Sequence, residues 1–141
     1  MKIDFAAACD YALIDQYGKL SVLGIFHHIW VTSLPALHPR LHLVLRLRGT
    51  RTEVGKHEIA IALVDEAGNA VITGNGTVNL SEPPAGVLEI EAGAILVFDV
   101  PFTKAGRYRF EITVDGATRT EVPVSVAQRA SSPGPAAGGS P

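Results

Sequence analysis

The sequence predicts an all-β antiparallel β-sandwich of about eight strands in an Ig-like, Greek-key arrangement. Three observations carry this. Apolar residues recur at every second position over most of the chain, as in strands with one buried face. Glycine, proline, aspartate and asparagine punctuate the alternation at intervals of roughly 8–14 residues, a spacing that suits sandwiches. No stretch of useful length shows the apolar spacing of an amphipathic helix.

The first strand reads as residues 3–14. Ile3, Phe5, Ala7, Cys9, Tyr11 and Leu13 share one face; Ala6, Ala8, Ala12 and Ile14 share the other. Asp15-Gln16-Tyr17-Gly18 is a turn, with Gly18 free to take a positive φ. Residues 20–31 form a second long strand. Leu34 to Pro39 is a loop, because its two prolines cannot donate to a central ladder. Residues 40–48 alternate cleanly, with Leu41, Leu43, Leu45 and Leu47 pointing inward. Residues 56–65 follow, then the turn Asp65-Glu66-Ala67-Gly68-Asn69, a strand over 70–80 and a Pro-rich loop from Ser81 to Gly86. Residues 87–100 make a strand kinked at Gly93. Residues 107–114 bury Tyr108, Phe110, Ile112 and Val114, and Asp115-Gly116 is a hairpin signal. The last strand, 117–128, buries Val122, Val124 and Val126. Pro123 faces away, as on an edge strand. The connections 32–39 and 81–87 are expected to cross between sheets. Residues 1–128 are thus one domain, and 129–141, rich in Ala, Ser, Pro and Gly, are expected to be a disordered tail.

A chain of 141 residues suits one domain that folds without metals or disulfides. It is 47% hydrophobic and only 18% charged, below the ~25% usual for soluble domains, so it has apolar surface to offer a protein partner or a homo-oligomer. The net charge of −2 provides no basic field for nucleic acid or anionic lipid. No apolar run approaches the ~18 residues of a membrane span. The run from Phe5 to Cys9 is bracketed by Asp4 and Asp10, too short for a secretory core, and a cytoplasmic location is expected.

No catalytic, cofactor or metal site is expected. His38 and His42 lie about 13 Å apart on extended backbone, too far to share one zinc, and His27 and His28 point to opposite faces. The single cysteine, Cys9, sits on an apolar face and reads as a buried thiol rather than a nucleophile. Arg40, His42, Arg46 and Arg48 line one side of the 40–48 strand, a candidate anion patch. Their simpler reading is an outer sheet face paired to acids such as Glu58 or Glu111. Strand 20–31 is apolar on both faces, with Leu20, Val22, Phe26 and Trp30 opposite Leu23, Ile25, Ile29 and Val31. A sandwich strand normally has one wet face. Either this chain covers the second face or another chain does, which makes Leu23, Ile25, Phe26, Ile29 and Trp30 a candidate interface. The leading expectation is therefore a non-enzymatic interaction module. The alternative is a small-ligand or carbohydrate-binding sandwich whose pocket uses Trp30, His28, His38 and Arg40.

Met1-Lys2-Ile3-Asp4-Phe5 with Cys9-Asp10-Tyr11-Ala12, Gly18-Lys19-Leu20-Ser21-Val22-Leu23-Gly24, His38-Pro39-Arg40-Leu41 and Gly106-Arg107-Tyr108-Arg109-Phe110-Glu111-Ile112 together resemble a family of small, uncharacterised bacterial proteins. The resemblance spans roughly residues 1–128. It implies a bacterial, Ig-like sandwich with no assigned activity and no catalytic residues to carry over.

Overall fold

The computed structural model describes residues 1–129. The expected tail, from residue 130 on, lies outside the described residues. Among the described residues nine strands form two sheets: β1 (Lys2–Ile14), β2 (Leu20–Ile25), β3 (His28–Val31), β4 (Ala36–Thr50), β5 (Gly55–Val64), β6 (Ala70–Leu80), β7 (Glu89–Phe102), β8 (Gly106–Val114) and β9 (Thr118–Gln128). One sheet runs β2-β1-β4-β7 and the other β3-β9-β8-β5-β6. Among the described residues no helix is long and apolar enough to cross a membrane.

The alternation of β4, β5, β8 and β9 builds the core as expected. Leu41, Leu43, Leu45 and Leu47 of β4 face Ile59, Ile61 and Leu63 of β5, Phe110 and Ile112 of β8, and Val122, Val124 and Val126 of β9, all almost fully buried in one cluster. Period-two spacing puts every second side chain of each strand between the sheets. The Asp65 turn closes β5 to β6 as its residues predict, with Asp65 Oδ1 accepting from the N–H groups of Ala67 (3.0 Å) and Asn69 (2.9 Å).

Four expectations need correction. The 20–31 stretch is two strands, not one. It breaks at Phe26-His27, and β3 leaves for the other sheet, where it pairs in parallel with β9 from Ser125 to Gln128. That sheet is therefore mixed rather than purely antiparallel. The 34–39 loop is shorter than expected, because β4 starts at Ala36 and carries Pro39 beside a bulge between His38 and Leu41. A bulge interrupts the ladder, so the missing proline N–H costs nothing there. Pro123 lies on a strand flanked on both sides, yet β3 reaches only as far as Ser125, so β9 is locally an edge at the proline. The 49–55 connection also crosses between sheets, through a single turn of 3-10 helix, Arg51–Glu53.

Beside that crossing, His57 Nδ1 lies 2.6 Å from Asp115 Oδ2 and its Nε2 lies 2.6 Å from the Glu53 carbonyl oxygen. Both partners are acceptors, so both ring nitrogens donate and the ring is held as an imidazolium. The hydrogen bond to Asp115 raises the His57 pKa from its ordinary 6.5, and the same bond lowers that of Asp115. The His57 contribution to stability is complete below pH 6.5 and is lost as pH rises through the raised value. The Asp115 contribution is lost as pH falls through its lowered one. We expect the melting temperature of His57→Gln to track wild type above the raised His57 pKa and to fall below it at pH 6. A constant gap across that range would refute the assignment.

Candidate functional site

The site grows from the hairpin of β1 and β2. Its base belongs to the sheet, where Ala6, Ala7, Ala8 and Cys9 pair with Leu45, Val44, Leu43 and His42 of β4. Its end does something else. A Cβ on Gly93 of β7 would lie 3.2 Å from Ile14 and 3.7 Å from Leu20. Gly93 pairs with Arg46, so it lies on the outer face of the sheet, two strands away from β1. The hairpin end is therefore folded back across the outside of β4 and β7.

The fold-back has a local cause. Gly24 has φ +68, and a Cβ there would collide with the carboxylate of Asp10 opposite it. A side chain at this position would be both strained and obstructed. The phase of β1 changes at the same level. Cys9 and Ala12, three residues apart, are buried in one small cluster with Val44, and Phe5, Leu20, Val22 and Ile95 pack around them. The backbone records the same slip. Phe26 N–H donates to the Ala8 carbonyl at the base, whereas Asp15 N–H donates to the Lys19 carbonyl at the tip. These two bonds have opposite parity in a register that pairs Cys9 with Ile25 and Tyr11 with Leu23.

The second apolar face thus has two fates. Ala12, Leu20 and Val22 turn onto the outside of the sheet and make a second apolar layer, and Ile14 reaches Gly93 with its tip while staying 40% exposed. Tyr11, Leu13, Leu23 and Ile25 turn to solvent and are 46%, 41%, 63% and 50% exposed. Tyr11 opposes Leu23 directly, so these side chains form one continuous strip.

The candidate interface residues separate accordingly. Leu23 and Ile25 belong to the exposed strip. Phe26 packs against the main core, and Ile29 lies within it at 6% exposure, so Ile29 is not available to a partner. Trp30, 49% exposed, sits on β3 in the other sheet, because the chain changes sheets at His27. Tyr11 and Leu13 were missed by strict alternation, which placed them with Cys9. The glycine opposite an acidic residue was the available signal that alternation would slip there.

The anion patch does not survive as a free surface. Asp4 accepts from Arg46 Nε at 3.0 Å and from Arg48 Nη2 at 2.7 Å. Glu91 lies 3.7 Å from Arg48 Nε. The cations are neutralised by acids on neighbouring strands, as the simpler reading held, although the acids are Asp4 and Glu91 rather than Glu58 or Glu111. His42 is buried under the hairpin, its ring 5.4 Å from that of Tyr11 and its Nδ1 2.8 Å from the Arg40 carbonyl. Arg40 stands apart at the bulge with φ 52, its N–H donating to Asp99 Oδ1.

Cys9 is fully buried, and burial pushes its thiol up from the ordinary range, which removes the character of a nucleophile. Among the described residues no cluster of three or more His, Cys, Asp or Glu side chains is placed to hold a metal ion.

Where the hairpin bends away, a shallow cleft of about 390 Å³ opens between Asp10, Ile25, Phe26, His28, Trp30 and His38. The His28 and Trp30 rings stack at 6.3 Å, and the Arg129 guanidinium lies 4.6 Å from the Trp30 ring centre. Phe26 and His38 meet at 5.5 Å. Burial lowers the His38 pKa, with Asp10 acting more weakly in the opposite sense, which favours a neutral ring in the cleft. Arg40, expected here, is not among the lining residues.

No curated protein matches the chain. A family model matches residues 4–127, which takes in both sheets, the folded hairpin and the cleft. The chain belongs to that family, DUF6941, a family of unknown function.

Proposed function

We propose that this protein is a non-enzymatic binding module that docks a protein partner on the outward face of the β1–β2 hairpin. One observation carries the reading. Four large apolar side chains, Tyr11, Leu13, Leu23 and Ile25, stand exposed side by side on an arm whose opposite face is anchored. Such contiguous apolar surface on a globular protein is typical of interaction sites. The low charged fraction of the chain agrees. An Ig-like, Greek-key assignment of the sandwich is part of the proposal. It is supported by Tyr108, whose hydroxyl donates to the Lys104 carbonyl at 2.5 Å across the β7–β8 corner, a bond like the tyrosine corner of Ig-type sandwiches.

A photo-crosslinking residue at position 23, used in the native cells, tests the docking face. We expect a discrete protein adduct at Leu23 and none at the exposed, distant Arg119. Equal labelling at both positions, or none at Leu23, would remove the reading.

The cleft favours a second reading, a small polar ligand such as a sugar held against Trp30 by Asp10, His28 and His38. Trp30 is the sole tryptophan, so its fluorescence reports binding directly. A shift on titration with a saccharide panel, abolished in Trp30→Ala, is the expected result; no shift at millimolar ligand would exclude it.

A further inference from the structure

We infer that the cleft beside Trp30 is a binding site for a guanidinium group carried by a small molecule. The inference rests on the cleft reading above in placing a small ligand against Trp30, and departs from it in giving that ligand a charge instead of hydroxyl groups. Asp10 is the one carboxylate among the residues that line the cleft. Its side chain lies over Gly24, which also lines the cleft and has no Cβ to displace it. Among the described residues the Asp10 carboxylate joins no ion pair and accepts no hydrogen bond. Residues 130–141 hold no lysine, arginine or histidine that could pair with it. Asp15 and Asp99, likewise outside any ion pair, instead accept from backbone N–H groups.

The rest of the lining is aromatic. His28 and Trp30, two residues apart on β3, stack at 6.3 Å, and Phe26 and His38 meet at 5.5 Å. The faces of Trp30 and Phe26 attract cations through the negative end of the ring quadrupole. A guanidinium suits a carboxylate among rings better than an ammonium does. It is planar and weakly hydrated, stacks on rings, and reaches both oxygens of a carboxylate with paired N–H groups. The chain itself supplies the ring half of this match. Arg129, its backbone N–H donating to the Val31 carbonyl at 2.8 Å, joins no ion pair among the described residues. Its guanidinium lies 4.6 Å from the Trp30 ring centre instead. Arg129 is not among the lining residues, so it engages the ring and leaves Asp10 without a partner. It thereby competes with a ligand cation for Trp30. His38 adds no opposing charge at neutral pH, since burial holds its pKa below the ordinary 6.5.

The test reads Trp30 fluorescence in the full chain, with agmatine as the probe. Agmatine is expected to shift the emission saturably. 1,5-Diaminopentane, of similar length but with ammonium ends, is expected to bind about fivefold or more weakly. Asp10→Asn is expected to weaken agmatine binding by about tenfold or more, through loss of the charge-assisted pair. Arg129→Gln is expected to tighten it severalfold, because a competing cation leaves the ring. Both positions are exposed, and a thermal melt like that of wild type shows that each variant is folded. Should Asp10→Asn not fold, Arg129→Gln and the diamine comparison decide. Equal affinity for agmatine and the diamine overturns the guanidinium site. So does binding indifferent to Asp10→Asn, or weaker binding in Arg129→Gln. A saccharide shift with agmatine silent overturns the inference and leaves the cleft reading standing; silence with both ligands removes both.

Discussion

Val44→Asp is expected to release the β1–β2 hairpin from the sheet and expose Cys9 while the main sandwich stays folded. Val44 is fully buried, but on the outer side of β4, in the layer with Cys9, Ala12 and Ile95 that the folded hairpin closes. An unpaired carboxylate in an apolar layer costs several kcal/mol if it stays there. Arg46, two residues along on the same face, is already held by Asp4. The cheaper response is for the hairpin end to lift and let water in, since it is held down by a small set of side chains, Ala12, Leu20, Val22, the tip of Ile14 and the Tyr11 ring on His42. Cys9 is a built-in reporter, because it is the sole cysteine and has no solvent exposure. A thiol reagent should modify native wild type slowly and Val44→Asp fast, with little change in far-ultraviolet circular dichroism. If Cys9 stays protected in the variant, the hairpin is not what covers it.

Phe110→Ala is expected to lower the unfolding free energy by about 3–5 kcal/mol, the usual cost of deleting a buried phenylalanine ring. A domain of this size is stable by roughly 5–15 kcal/mol, so the loss removes a large share of it. Phe110 is fully buried on the interior strand β8, in register with Leu63 of β5 and Val122 of β9. Its ring packs on Phe98 of the other sheet at 6.2 Å, so the cavity opens at the contact between layers, where neither sheet can close it alone. Urea denaturation with an unchanged slope and a lowered midpoint would show this. A loss under about 1 kcal/mol would mean that the sheets close over the gap and that the core is looser than its burial indicates.

Placed together, these two variants mark the boundary of what sequence reading reached. The site was half legible. Leu23 and Ile25 stood out because a strand with two apolar faces needs a second cover, and both are exposed. Ile29 and Trp30 were grouped with them because nothing in Phe26-His27 announces a change of sheet. The anion patch was legible as side chains on one face and illegible as a site, because whether Arg46 and Arg48 are free depends on Asp4, more than forty residues away.

By itself the sequence determined the sandwich core. Alternation is a local property of each strand, so Leu41 to Leu47, Tyr108 to Val114 and Val122 to Val126 declare their buried side without reference to any partner. It also determined the turns at Asp65 and Asp115, where side-chain chemistry and tolerated φ act within a few residues. Only the tertiary structure decided which sheet each strand joined and what the surplus apolar face met. Those outcomes depend on long-range pairing, and a one-residue slip in phase, as between Cys9 and Ala12, moves every following side chain to the other face. That slip turned Ala12, Leu20 and Val22 down onto the sheet and left Tyr11, Leu13, Leu23 and Ile25 largely facing water.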